Sequence, residues 1–207
     1  MLQRWITTIT EDMARQLGYD QDQQEILQYA FIITMNTLIG FVVIALVGGI
    51  FGVAKLALVA ALTGGVLRTY SGGAHATSPA RCSAIGAIAY VSLGIIAQLL
   101  TVKHTLLVLF IITTLFAGWS IWSYAPAEAP GKPLGSRLHR QKLRQRAFIT
   151  WGVWVIGFGL IFAQWGSSPW LIASCLGALW QSVTITPVGH KITAQLDSFL
   201  KRFIKDR

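Results

Sequence analysis

The chain has two cysteines and four histidines, and one of each falls in a single short segment. It reads Leu67-Arg68-Thr69-Tyr70-Ser71-Gly72-Gly73-Ala74-His75-Ala76-Thr77-Ser78-Pro79-Ala80-Arg81-Cys82. A thiol and an imidazole within reach of each other make a nucleophile and a general base able to attack a carbonyl. On one continuous helix, residues seven apart are separated by roughly 10 Å along the axis, too far for that contact. Gly72-Gly73 supplies a break in the helix and lets the backbone approach a ligand closely. Ser78-Pro79 reads as an N-cap followed by proline at the first helical position. His75 can then fold back toward Cys82, which falls in the first turn of the next helix. The positive end of that helix and the neighbouring Arg81 favour thiolate. Two plainer readings stand beside this one: a small packing residue of a membrane helix, or a juxtamembrane cysteine that is acylated. A metal centre is disfavoured, because two ligands do not fill a zinc shell and Cys175 is expected near the other face. Cys175 reads as core, and nothing in the sequence asks for a cofactor.

The elements that must position these residues are membrane helices. Hydrophobic residues make up 54% of the chain and charged residues 12%, with 17 Lys+Arg against 8 Asp+Glu and a net charge of +9. Residues 26–127 contain no acidic side chain. This composition excludes an ordinary soluble globule and a disordered basic tail. Because the basic residues punctuate apolar runs, it needs no nucleic-acid partner either. A spanning helix takes about 20 mostly apolar residues. Spans are expected near 27–49, 52–68, 82–102 and 104–127. Two more fit in 147–190, split at Trp165-Gly166-Ser167-Ser168-Pro169. The second span is the weak one, with Lys55 near its start, so it either spans with that lysine snorkelling or is re-entrant.

Six spans with both termini cytoplasmic place 15 basic residues inside and only Lys55 and Lys103 outside, as the positive-inside rule requires. Trp119, Trp122, Trp151, Trp165 and Trp170 fall near span ends, where an aromatic belt is expected. The fold class is therefore an all-α polytopic membrane protein, read as one domain over 1–207. Its ends, 1–25 and 190–207, read as amphipathic helices lying on the membrane. Their apolar stripes are Leu2, Trp5, Ile9, Met13 and Leu17, and Ile192, Leu196, Phe199, Leu200 and Phe203. The first 25 residues are polar and acidic, unlike a cleavable signal peptide.

The segment Arg68…Gly72-Gly73-Ala74-His75…Cys82 between the second and third spans resembles the accessory gene regulator B (AgrB) family, membrane cysteine endopeptidases of quorum sensing. The resemblance extends to Tyr124-Ala125-Pro126-Ala127-Glu128…Lys132-Pro133-Leu134 and to the basic loop at 124–146. It implies a multi-pass protein of the cell membrane with its active site at the cytoplasmic face. The implied substrate is an AgrD-like propeptide with an amphipathic leader and an acidic tail. Cys82, deprotonated by His75, would release the tail and hold the remainder as a thioester, which an internal Cys or Ser closes to a thiolactone or lactone. By family match Arg68 and Gly73 belong to the functional loop. Amides around Gly72-Gly73 or the start of span three are oxyanion candidates, and Arg68 and Arg81 are candidates for binding substrate. Lys132 and Arg137 are candidates to dock the acidic tail, against a plainer role beside anionic lipid headgroups.

Thr77, Ser78 and Gln181 are each able to orient His75, and the sequence selects none. His104, His139 and His190 receive no catalytic role. A homodimer stays open, since Gly64-Gly65 or Gly157 and Gly159 serve equally to pack helices within one chain. A competing class is a small transporter or peptide exporter, against which stands the absence of charge at the span centres. A third is a non-enzymatic adaptor acylated on Cys82.

Overall fold

A serine or threonine followed by proline opens three helices of this chain, because the hydroxyl caps the first turn and proline needs no amide partner there. Ser78 accepts from the Arg81 amide at 3.4 Å, Ser168 from Leu171 at 3.4 Å and Thr186 from Gly189 at 3.2 Å. The computed structural model describes residues 2–100, 103–127 and 136–204; side chains at 2–4, 103 and 104 lie outside the description. In chain order its helices are α1 (Leu2–Leu17), α2 (Gln21–Ile50), α3 (Ala54–Ser71), α4 (Pro79–Leu99), α5 (Lys103–Tyr124), α6 (Arg137–Trp165), α7 (Pro169–Thr184) and α8 (Pro187–Leu200). Among the described residues there is no β-strand.

The first 42 residues form a unit of their own. Within it Gln28 Nε2 donates to Thr7 Oγ1 at 3.0 Å, which ties α2 to α1. Ile6, Thr10 and Ala14, four residues apart, are the buried face of α1, whereas Trp5, Met13 and Leu17 stay exposed. That uncovered stripe is what a helix lying on a membrane presents.

The second unit, from Val43 onward, is built on α3 and α7. Ten of the sixteen residues of α7 are buried. Facing them on α3 are Ala60 and Gly64, while Ala57 lies against Gly94 of α4. Helices in lipid gain little from hydrophobic segregation and associate by close packing, so small residues line the contact. At Gly177 the approach is so close that a β-carbon would fall 2.8 Å from the Ala60 Cα. Gly64 is likewise spent inside the chain, against Tyr90 and the Gly177 carbonyl, while Gly157 and Gly159 face open space. Around this pair α4 packs on α3 and α7, α5 on α6 and α7, and α8 on α4 and α7.

Among the described residues four helices, α2, α4, α5 and α6, are long and apolar enough to cross a membrane, and the bent pair α7 and α8 makes up to five. Against the expected six, α3 occupies the place of the second span but carries Lys55 and Arg68 in its eighteen residues. It packs against α4, α6 and α7 on one side, while Leu62 and Val66 stay more than half exposed on the other. The division of the last apolar run at residues 165–169 is as expected. The helix after it is shorter than expected. It stops at Thr184 and the chain turns 90° into α8 at Thr186-Pro187, a cap that hydropathy alone does not register. The buried face of α8 is Gly189, Thr193 and Asp197, with Phe199 and Phe203 exposed. Trp119, Trp122, Trp165 and Trp170 are exposed, whereas Trp151 packs inward.

Gly177→Ala is expected to lower stability by about 1–3 kcal/mol, the cost of overpacking a rigid contact. The thermal midpoint of the detergent-solubilised protein should fall, while Gly157→Ala, with nothing within 4 Å of its β-carbon, leaves it unchanged.

Candidate active site

Where α3 and α7 end together, their last carbonyls have no partner inside either helix. Backbone amides of the following loops take several of these carbonyls, and side chains tie the two ends together. Arg68, in the last turn of α3, donates through Nη1 to Gln181 Oε1 at 3.3 Å and Thr184 Oγ1 at 3.4 Å. Its Nη2 donates to the Ala74 carbonyl in the following loop. Gln181 Nε2 donates to Ser71 Oγ at 3.1 Å and the Gly72 carbonyl at 2.7 Å. The Ala74 amide reaches the Thr184 carbonyl at 2.9 Å.

Gly72 and Gly73 adopt φ of +70° and +146°, which side-chain-bearing residues rarely enter. They turn the chain off α3. Gly72 also lies against Ala127, whose amide donates to the Ser71 carbonyl at 2.8 Å. The start of the Tyr124-Ala125-Pro126-Ala127 motif thus docks directly on the glycine loop. Arg144 Nε holds the Ala125 carbonyl at 2.7 Å, and Arg146 lies 5.8 Å from the Tyr70 ring centroid. Below them Ile121, Ala125, Ala147 and Ile185 form a small apolar floor with Phe148 and Trp151.

His75 follows Ala74 directly and is exposed; Cys82, in the first turn of α4, is half-buried. The Cys82 amide donates to the Ser78 carbonyl at 2.9 Å, so the expected cap holds. Arg68 interacts electrostatically with both His75 and Cys82. The protein around the ring, then Arg68, then His190 bring the His75 pKa down to about 4 although part of its surface meets solvent. The imidazole is therefore neutral at pH 7.

Of the residues singled out from sequence, Arg68, Gly72, Gly73, His75 and Cys82 gather at this end of the bundle. Arg81 points elsewhere: it is buried in an ion pair with Asp197 of α8, Nε to Oδ1 at 2.7 Å. Arg137 is exposed at the start of α6. Lys132, with Glu128, Pro133 and Leu134, lies outside the described residues. The Gly72, Ala74, Arg81 and Cys82 amides are spent on Arg68 O, Thr184 O, Ser78 Oγ and Ser78 O, and the Gly73 amide is not among these. Among the described residues, neither Thr77, Ser78 nor Gln181 is hydrogen-bonded to His75; Gln181 holds the loop instead.

Ser71, Thr184, His190 and Asp197 were not foreseen. Two of them had a signal: Thr186-Pro187 brings His190 onto the first turn of a new helix, and Asp197 is one of only three acids after residue 25.

A helical scaffold suited to several membrane crossings defines a multi-pass membrane protein. The family model of accessory gene regulator B matches residues 6–185, and the chain belongs to that family. A Clostridium perfringens (strain SM101) protein named AgrB-like is 24% identical over 99% of this chain and all of its own length. An AgrB-like protein 2 of C. perfringens strain 13 is 25% identical over the same shares. One from Halalkalibacterium halodurans is 26% identical over 97% of this chain and 94% of its own. No solved structure matches. Family membership connects the chain to the processing of a quorum-sensing peptide.

The depressed His75 pKa has a stability consequence. Between about 4 and 6.5 the unfolded chain binds a proton that the native state refuses, so this contribution is complete above pH 6.5 and declines as pH falls toward 4. Thermal midpoints measured across that window should fall less steeply with acid in His75→Gln than in the parent.

Proposed function

We propose that this chain is a membrane cysteine endopeptidase that removes the C-terminal tail of an AgrD-like propeptide and closes the remainder into a ring. The observation that carries the reading is the clamped loop. Arg68, Gln181 and Thr184 fix residues 71–74, and His75 follows at once, seven residues before Cys82 in the first turn of α4.

In the first step the Cys82 Sγ bonds to the scissile carbonyl carbon while His75 takes the thiol proton. The tetrahedral oxyanion is met by the Gly73 amide and the field of Arg68. Collapse breaks the C–N bond, His75 gives its proton to the departing amine, and the tail leaves with a new N-terminus. The propeptide remains as a thioester on Cys82. Its internal thiol or hydroxyl then attacks that thioester, its proton passes through His75 to the Cys82 sulfur, and the ring is released. Thioester exchange conserves the activated carbonyl, so ring closure needs no ATP. A half-buried thiol at the membrane boundary limits competing hydrolysis. By the positive-inside bias, this end of the bundle faces the cytoplasm.

Co-expression with the cognate propeptide tests the reading. Tail release and a covalent adduct of propeptide and enzyme are expected from the parent chain. Cys82→Ala should lose both and His75→Ala should lose cleavage; normal processing by Cys82→Ala would refute the nucleophile. Arg137→Ala together with Lys132→Ala should raise KM for the propeptide several-fold with kcat unchanged, the signature of a dock for the acidic tail. Unchanged kinetics would assign those charges to lipid headgroups.

A further inference from the structure

Asp197 is one of eight acids in the chain, and α8 buries it. Its Oδ1 takes the Arg81 Nε at 2.7 Å and its Oδ2 the Thr77 hydroxyl at 2.7 Å. Arg81 Nη2 closes the set on Thr77 Oγ1 at 2.7 Å, and Nη1 reaches the Ile204 carbonyl at 3.1 Å. A carboxylate, a guanidinium and a hydroxyl are thus mutually bonded where α8 crosses the start of α4. A buried ion pair is seldom worth more to stability than an apolar pair of the same shape. What it fixes is geometry, since a donor on each carboxylate oxygen, joined by the Arg81–Thr77 bond, closes a ring of contacts.

The position of this knot matters for the site. Upstream, Ala74 is pinned by Arg68 and by the Thr184 carbonyl. Downstream, Thr77 and Arg81 are pinned to Asp197. Only His75 and Ala76 lie between the two anchors, and Cys82 is the residue after Arg81. A residue advances the chain by at most about 3.6 Å, so three steps between fixed ends leave His75 little room to wander. One anchor belongs to the end of α7 and the other to α8, so the 90° turn between those helices sets the spacing of imidazole and thiol.

We propose that Asp197, acting through Thr77 and Arg81, is a positioning residue for the His75–Cys82 pair, which makes the C-terminal helix a working part of the active site. The proposal rests on the endopeptidase reading above, and it adds a requirement that reading does not contain. The catalytic loop is held by α8 as well as by α7.

The test compares the parent with Arg81→Met/Asp197→Leu, an apolar replacement that leaves no buried charge unpaired, and with Thr77→Val, which cuts the hydroxyl link and leaves the ion pair. Each is made with and without His75→Ala in the purified full chain. Cys82 alkylation by iodoacetamide is followed by site-resolved mass spectrometry, with fully buried Cys175 as internal reference. In the parent, His75→Ala should slow Cys82 alkylation by about tenfold or more. The double variant should already react at that slow rate, and adding His75→Ala should change nothing further; Thr77→Val should fall between. With propeptide, kcat should drop in parallel and KM should hold.

Retention of parental, His75-dependent alkylation by the folded double variant would overturn the proposal. Should the double variant fail to fold, the same result in Thr77→Val would overturn it. Parental alkylation that ignores His75 altogether would overturn it as well, since there would be no pair to position. Absence of peptide processing by the parent refutes the endopeptidase reading alone, because the alkylation arm needs no peptide.

Discussion

Arg68 is the interaction on which this end of the molecule depends. Two helices, α3 and α7, run in the same direction and stop side by side, so the negative ends of both dipoles and their last free carbonyls meet in one place. Without a compensating positive charge that junction would be repulsive. A guanidinium answers it better than an ammonium would. Its planar fork offers several donors in fixed directions, and here they reach Gln181, Thr184 and the Ala74 carbonyl at once. The loop is therefore shaped by the same cation that stabilises the helix ends.

That arrangement presupposes the register of α3 on α7. Gly177 and Gln181 lie one turn apart on α7, as Ala60, Gly64 and Arg68 recur on α3. The bare Gly177 backbone against Ala60 brings the axes close enough for Gln181 to bridge Arg68, Ser71 and Gly72. A side chain at that contact would act on the loop at a distance, by separating two helices whose ends share one hydrogen-bond network. Packing in the apolar interior and order in the polar loop are one problem in this fold.

Much of this was legible in the chain. Hydropathy located the apolar helices, Gly72-Gly73 marked the break, and Ser78-Pro79 located the cap that sets Cys82 in the first turn of α4. These are local signals, read from a few neighbouring residues. The destinations of the arginines were not legible. Arg68, Arg81, Arg144 and Arg146 all look like orientation charges at the edges of apolar runs, yet each has a partner within the protein. Which partner a long cationic side chain finds is decided by tertiary packing. For Arg81 the partner is an acid 116 residues away. The apolar stripe read from α8 missed its buried side for the same reason: the face turned inward is Gly189, Thr193 and Asp197, chosen by a salt bridge and a tight crossing rather than by hydropathy.

The different exposures of the two reactive side chains fit the proposed chemistry. A ring-closing peptidase must admit a peptide yet delay water at the thioester, two demands that conflict at an open surface. Here the imidazole, which must exchange protons in both steps, stands exposed on a loop fixed at each side, while the thiol that carries the acyl group is half-buried at a helix start. Because the pKa of His75 is held near 4, the resting site carries its positive charge on Arg68 rather than on the base. In the proposed reaction that fixed guanidinium is available to the charge that develops on the carbonyl oxygen.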